Sequence, residues 1–90
     1  MRNPVYTTQF NRDLKMVAKR GYDLQKIKTA MVLLLNEAPL PMVYRDHALK
    51  GTWKQYRDLH IESDWLLVYK LDGGDCIFAR TGTHSDIFSL

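Results

Sequence analysis

The sequence contains few of the residues that build disulfide or zinc frameworks, and it has no long apolar stretch. Cys76 is the one cysteine among 90 residues, so neither an internal disulfide nor a Cys-x-x-Cys metal pair can form. The longest apolar run, Ala30 to Leu35, is too short to cross a bilayer, and the N-terminus lacks the apolar stretch of a secretory signal. We therefore expect a protein of the reducing cytoplasm with no membrane partner.

The overall composition is that of a folded chain. Hydrophobic residues make up 46% of the sequence and charged residues 26%, which is typical of a globular protein and not of a disordered one. A chain of 90 residues can bury one small hydrophobic core and has no room for a second. We predict a single domain over residues 1–90.

Positive charge is concentrated in the first half of the chain. Residues 1–45 hold eight basic and three acidic side chains, whereas residues 46–90 hold five and seven. A surplus of cations favours a polyanionic partner such as a nucleic acid, although a solvated helix face would have the same composition. The basic residues that fall in predicted helices and could contact such a partner are Arg12, Lys15, Lys19, Lys26 and Lys28.

The spacing of apolar and turn-forming residues predicts one strand, two helices and then three strands. The first predicted strand runs from Met1 to Thr7. Two predicted helices follow: one over Gln9 to Arg20, with Thr7 or Thr8 as its N-cap, and one from Asp23, which is its N-cap, to Asn36. The three remaining predicted strands are Trp53 to Ile61, Asp64 to Leu71 and Asp75 to Thr81. Residues 37–52 are predicted to form a loop and residues 82–90 a tail. This β-α-α-β-β-β order predicts an α+β fold, with the two-helix hairpin packed on one face of a small antiparallel sheet.

Three histidines lie in the second half of the chain, each close in sequence to charged residues. Asp58 and His60 are two residues apart on a predicted strand, so their side chains project from one face, which we expect to be the open face. Asp64 begins the next strand and should lie near His60, while the position of Arg80 depends on strand register. Imidazole, carboxylate and guanidinium groups can move protons at a phosphate and stabilise its charge.

The same residue types can also bind divalent metal ions, which leaves a metal-dependent hydrolase as an alternative. No His-x-His or His-Glu-x-x-His spacing occurs in the sequence. The sequence therefore favours a chemistry without a metal ion or another cofactor, while the metal-dependent alternative stays open. Taken one at a time, each histidine could equally be a structural residue.

A series of fixed spacings in the second half of the chain resembles the YafQ branch of the RelE/ParE toxin superfamily. The matching positions are Asp46-His47-x-Leu49-x-Gly51-x-Trp53-x-x-Tyr56-Arg57-Asp58-x-His60, Asp64-Trp65-Leu66-Leu67-x-Tyr69-Lys70 and Arg80-Thr81-Gly82-Thr83-His84-x-x-x-Phe88. The helix hairpin and the Pro39-x-Pro41 loop also match. The resemblance therefore covers nearly the whole chain.

The resemblance implies a bacterial type II toxin that cuts messenger RNA in the ribosomal A site by attack of the 2′-OH. It also implies a cognate antitoxin that neutralises the toxin. The toxin would contact operator DNA only through its complex with that antitoxin. The residues implied are His47, His60, Asp64 and His84 for catalysis, and Arg80, Phe88 and Asp58 for contact with the phosphate and the RNA. Ribosomal RNA would be the polyanion for the basic helices. The alternative is a toxin of the same fold that binds another target, such as gyrase, without cutting RNA.

Overall fold

The computed structural model describes residues 1–89, and Leu90, the last residue of the predicted tail, lies outside the described residues. The elements in chain order are β1 Asn3–Tyr6, α1 Thr8–Lys19, α2 Leu24–Leu35, β2 His47–Ala48, β3 Arg57–Glu62, β4 Trp65–Asp72, β5 Asp75–Gly82 and α3 His84–Phe88, with single 3-10 turns at Met42–Tyr44 and Gly51–Trp53. Over residues 1–89, no helix is long and apolar enough to cross a membrane.

Both long helices begin at the predicted capping residues. The Thr7 hydroxyl accepts a hydrogen bond of 3.0 Å from the Phe10 N–H at the start of α1, and the Asp23 carboxylate accepts one of 3.0 Å from the Gln25 N–H at the start of α2. Each bond satisfies a backbone donor that has no partner inside the helix. Gly21 follows α1 with a φ of +85°, a conformation in which glycine has no steric penalty.

The strands form one five-stranded sheet in the order β1-β5-β4-β3-β2. Strands β2 to β5 pair antiparallel, as predicted for the meander, but β1 lies parallel to β5. The α+β fold is confirmed, and the expectation of a wholly antiparallel sheet is corrected at its first strand. The reason is that β1 leads into two helices and not into a tight turn, so nothing forces it to run antiparallel to its neighbour.

The central strand β4 is buried on both faces and separates two hydrophobic cores. On one face, Trp65, Leu67 and Tyr69 pack against α1 and α2 through residues such as Phe10 and Ile27. On the other face the core consists of Leu66, Val68, Ala79 and Ile87, partly covered by Leu49, Trp53, Tyr56 and Phe88. The helix hairpin therefore covers one face of the sheet, and the second face is closed only by loops and α3.

Two of the predicted boundaries are wrong. The predicted loop at residues 37–52 contains β2, and the strand predicted from Trp53 begins only at Arg57. Gly51, with a φ of +67°, opens a 3-10 turn there, and Trp53 then packs edge-to-face on Tyr56 with ring centroids 5.1 Å apart. The two aromatic residues cover the second core, which draws this segment out of the sheet.

The predicted tail contains the short helix α3. Thr83 caps it by accepting a hydrogen bond of 3.0 Å from the Asp86 N–H, and the Asp86 carboxylate accepts one of 2.9 Å from the Thr83 N–H. Arg20 at the end of α1 also donates to the Asp86 carboxylate at 2.6 and 3.1 Å. A helix of five residues is too short to show periodicity in the sequence, and these polar contacts stabilise it.

We predict that Gly82→Ala destabilises the fold, whereas Gly74→Ala does not. Gly82 has a φ of +150°, and a Cβ built there would lie 2.9 Å from the Asp86 carboxylate. Strain of this kind costs about 1–3 kcal/mol. Gly74 is the control, because a Cβ there would meet no atom within 4 Å. Urea denaturation followed by tryptophan fluorescence measures the effect, and equal stabilities of the two variants would contradict the prediction.

Candidate active site

Three imidazole rings form a row on the sheet face opposite to α1 and α2. His47 comes from β2, His60 from β3 and His84 from the first position of α3. The ring centroids of His47 and His60 are 5.9 Å apart, and those of His60 and His84 are 5.7 Å apart. His60 pairs with Leu66, whose side chain belongs to the second core, which places the row on the more open side of the sheet.

The Nδ1 atom of His47 faces two acceptors. It lies 3.0 Å from the Arg45 carbonyl oxygen and 3.1 Å from Oδ1 of Asp58, its register partner across β2 and β3. A carbonyl oxygen can only accept, so Nδ1 carries the hydrogen. Nε2 is then the nitrogen of His47 that can exchange a proton with a substrate.

His84 is fixed in the same way by Asp64. Its Nδ1 lies 2.5 Å from Oδ1 of Asp64, and its backbone N–H donates to the same oxygen at 2.9 Å. These two hydrogen bonds hold the pKa of Asp64 below its usual range, the backbone bond more strongly. The carboxylate therefore orients the imidazole and leaves Nε2 of His84 available. The sequence predicts Asp64 beside His60, and the structure places it in contact with His84.

Asp58 shares a face with His60, as predicted, but it does not face solvent. It is 2% exposed, because His47 lies over it from β2. Burial raises the pKa of Asp58, and the nearby histidines oppose that shift only in part. Within residues 1–89, the buried Oδ1 of Asp58 and Nδ1 of His60 make no hydrogen bond of good geometry, although Oδ1 of Asp58 lies 3.1 Å from Nδ1 of His47. Unsatisfied buried polar atoms are costly, and they are often retained at functional sites.

The pKa of His60 is lowered, chiefly by burial and then by the positive charge of Arg45. The negative charge of Asp58 acts in the opposite direction. An imidazole with an ordinary pKa is already largely neutral at pH 7, so this shift keeps His60 neutral under those conditions. The central ring of the row is therefore suited to accept a proton.

Asp46 anchors the segment that carries His47. One carboxylate oxygen accepts two hydrogen bonds from Arg57, of 3.1 and 2.7 Å, and the other accepts one from the Tyr69 hydroxyl. Burial and this hydrogen bond raise the pKa of Tyr69, which keeps the hydroxyl a donor. Sequence reasoning assigned Asp46 no role, because its partner Tyr69 is 23 residues away and spacing alone does not reveal such a contact.

Arg80 is paired with an acidic residue that the sequence analysis did not single out. Its Nε donates to Asp13 of α1 at 2.7 Å, and Asp13 also accepts from the Thr81 N–H at 3.1 Å. Asp13 is only 3% exposed. A terminal nitrogen of Arg80 lies 3.5 Å from the Asp86 carbonyl oxygen in α3. Arg80 therefore adjoins the helix that carries His84, with its charge matched by Asp13.

The other residues predicted to contact RNA are Phe88 and the basic residues of the two long helices. Phe88 is half-buried one turn after His84, where its ring meets Trp53 edge-on at a centroid distance of 6.2 Å. Lys26 forms an ion pair of 3.0 Å with Glu62, so its charge is compensated. The remaining basic residues predicted to meet a polyanion are all exposed: Arg12, Lys15, Lys19 and Lys28.

One group of side chains in the row has the chemistry of a metal site. His47, Asp58 and His60 each offer a ligand atom, and these atoms lie within 4.8 Å of one another. Imidazole and carboxylate ligands together suit borderline ions such as Zn²⁺ or Cu²⁺. The group shares His47 and His60 with the imidazole row, so an ion there would occupy a nitrogen atom of two of its three rings.

Comparison with known proteins gives a consistent result. The family described as "Bacterial toxin of type II toxin-antitoxin system, YafQ" matches residues 2–89. The mRNA interferase toxin YafQ of Escherichia coli K12 is 50% identical over 84 residues, covering 92% of this chain and 91% of that protein.

Two solved structures extend the comparison. The crystal structure of the E. coli DinJ-YafQ complex matches with a TM-score of 0.91 and 48% identity, covering 98% of this chain and 99% of that chain. The crystal structure of a metal-bound toxin from Helicobacter pylori matches with a TM-score of 0.92 and 36% identity, covering 98% and 100%.

The fold and the sequence match together define a toxin of a bacterial type II toxin–antitoxin system. Within that class, the chain belongs to the YafQ family. The family expected from the sequence is thereby confirmed.

We predict that His60→Gln flattens the decline of stability at mildly acidic pH. The native state disfavours protonation of His60, so the unfolded state binds more protons and the free energy of unfolding falls as the pH drops below about 6.5. The lowered pKa of Asp64 and the raised pKa of Asp58 contribute in both proteins. Urea denaturation at several values between pH 5 and 7 measures the difference. Parallel curves for the wild type and the variant would contradict the prediction.

Proposed function

We propose that this protein is a toxin that cuts messenger RNA on the ribosome. The observation that supports the proposal most strongly is the row of three imidazoles, two of which have Nδ1 directed at an acceptor. The E. coli relative is named an mRNA interferase. Cleavage by this class of chemistry needs a base, an acid and a cation around one phosphate, and we propose the histidines and Arg80 for these three roles.

In the proposed reaction, the ribose 2′-OH attacks the adjacent phosphorus while a neutral imidazole takes its proton. The bond to the 5′-oxygen breaks, and that oxygen receives a proton from an imidazolium. The products are a 2′,3′-cyclic phosphate and a 5′-hydroxyl. His60 suits the base, because its lowered pKa keeps it neutral near pH 7. His84, oriented by Asp64, and His47 are the candidates for the acid.

Arg80 is proposed to stabilise the negative charge that develops on the phosphate. Its guanidinium is held by Asp13 with a bond of 2.7 Å, which fixes its direction before substrate arrives. Preorganised cations of this kind need no rearrangement during the reaction. The buried carboxylate of Asp13 also compensates part of the charge, so the phosphate must compete with Asp13 for the same guanidinium.

The proposed partners are an antitoxin and the ribosome. The E. coli relative was crystallised as the DinJ-YafQ complex, which supports a cognate antitoxin for this chain. The exposed Arg12, Lys15 and Lys19 lie on α1 and Lys28 lies on α2. These cations are proposed to contact ribosomal RNA, because attraction to phosphates grows with the number of cations presented.

Metal ions are proposed to be unnecessary for the reaction and to inhibit it when bound. The H. pylori relative was crystallised as a metal-bound toxin, and His47, Asp58 and His60 could together hold an ion here. An ion bound to a histidine nitrogen would block proton transfer at that nitrogen. Cleavage should therefore persist after the toxin alone has been stripped of metal with a chelator, and it should fall when the toxin is loaded with Zn²⁺ or Cu²⁺.

We predict that His60→Ala and His84→Ala each reduce messenger cleavage by about 10²- to 10⁴-fold, the usual contribution of a proton-transfer group. The assay is a translation extract in which cut ends are mapped and tested for a 2′,3′-cyclic phosphate. Binding to ribosomes should change little, because the substitutions remove proton transfer and not the basic surface.

Thermal unfolding of both variants, and cleavage by wild-type toxin that has been stripped of metal with EDTA and dialysed before it enters the extract, are the controls for this prediction. Full activity of both variants would contradict the proposed site. Loss of activity in the stripped toxin, with recovery after it is loaded with a transition-metal ion, would favour the metal-dependent alternative. A folded wild-type protein that cuts no messenger would favour the non-cleaving toxin that binds another target.

We predict that reversing the charges of Lys15 and Lys19 to glutamate weakens ribosome binding and lowers its salt dependence. The slope of log K against log salt is negative, and its magnitude should decrease by about 0.7–0.9 for every phosphate that the variant no longer neutralises. Lys26→Gln is the matched control, because the charge of Lys26 is already compensated by Glu62. Sedimentation with ribosomes at several salt concentrations measures both quantities. Unchanged binding by the double variant would contradict the prediction.

A further inference from the structure

A groove of about 530 Å³ lies beside His60, between the 3-10 turn Met42–Tyr44 and the end of β3. It is lined by Met42, Val43, Arg45, His60, Ile61, Glu62 and Ser63. Most of the surface that lines the groove is apolar. The volume of the groove is within the range of small-ligand sites. Because His60 belongs both to this groove and to the imidazole row, the groove is continuous with the site of the proposed reaction.

The outer wall of the groove consists of apolar side chains that the core does not need. Met42 is 94% exposed and Val43 is 78% exposed, whereas their neighbour Tyr44 packs against the helix-side core. Neighbouring apolar side chains held in water cost free energy unless they serve a contact.

The turn that presents these side chains is held in place at its C-terminal end. Tyr44 fixes it to the core, and Arg45 adopts a left-handed conformation with a φ of 48°. Asp46 then binds Arg57 and Tyr69. A surface fixed in this way loses little conformational entropy when a ligand binds.

We propose that this groove binds a nucleobase of the RNA, adjacent to the phosphate at the imidazole row. This inference rests on the proposed function and locates the nucleotide next to the cut. The faces of a base are apolar and polarisable, which suits the Met42 thioether and Val43. The Arg45 guanidinium can stack on a base or meet a phosphate.

The charges around the groove are also compatible with RNA. Glu62 is the acidic residue of the lining, and Lys26 compensates it at 3.0 Å. Arg45 is the cation of the lining, and it lies close enough to His60 to affect that ring. Ser63 offers a hydroxyl that can hydrogen-bond to a base edge. The groove therefore combines an apolar wall, a cation and a polar edge.

The direct test is methyl NMR of the full-length protein with ¹³C-labelled methionine methyls. The probe is an RNA trinucleotide with 2′-O-methyl groups, which cannot be cut because the attacking hydroxyl is blocked. Stacking of a base should move the Met42 methyl upfield by a ring-current shift. The same backbone without bases is the control ligand. Met1, which is 87% exposed, is the internal control methyl.

The functional test compares the double variant Met42→Ser, Val43→Ser with Val32→Ser in the translation extract. Val32 is 53% exposed on α2 and away from the groove, so its replacement controls for a general reduction of surface apolar area. We expect about 10-fold slower cleavage by the double variant, the effect of losing one stacked base, together with an altered choice of cut sequences. Val32→Ser should cleave like the wild type.

The outcomes separate this inference from the proposed function. Equal shifts of Met42 with and without bases, or cleavage by the double variant at the wild-type rate and sites, would overturn the nucleobase groove while leaving the nuclease intact. A double variant that cuts normally but escapes the antitoxin would assign the groove to protein docking and overturn it as well. A wild-type protein that cuts no messenger would contradict the proposed function itself.

Discussion

The structure depends on the burial of β4 on both of its faces. Alternate residues of this strand face opposite cores, so Trp65 and Leu67 pack under the helices while Leu66 and Val68 pack under the loops and α3. A one-residue slip in register would exchange the two sets. Paired strands share their faces. The burial of β4 therefore places Leu59 of the neighbouring strand β3 on the helix side of the sheet and the imidazole row on the opposite side.

Much of this arrangement can be predicted because it repeats locally. Thr7 and Asp23 cap helices through bonds to residues two or three positions away, and the helical stripe of apolar residues is visible in a short window. The shared face of Asp58 and His60 follows from strand parity alone. The α+β fold and the approximate position of the site were therefore accessible from the sequence.

The remaining features could not be predicted, since they depend on contacts between distant residues. The burial of Asp58 requires His47 to arrive from a strand of two residues, which is too short to recognise by its pattern. The pairing of Arg80 with Asp13 joins residues 67 positions apart. The orientation of His84 by Asp64 depends on the short helix α3, whose stability comes from polar contacts and not from hydrophobic periodicity.

The parallel pairing of β1 with β5 also makes the imidazole row depend on contacts between segments that lie far apart in the sequence. Asn3–Tyr6 pairs with the first half of β5, Asp75–Gly82. The same strand leads directly into the helix that carries His84. Pairing of such distant segments must close a long loop of chain, which makes it a slow step in folding. We therefore expect the third imidazole to reach its place late in folding, after the two long helices have formed.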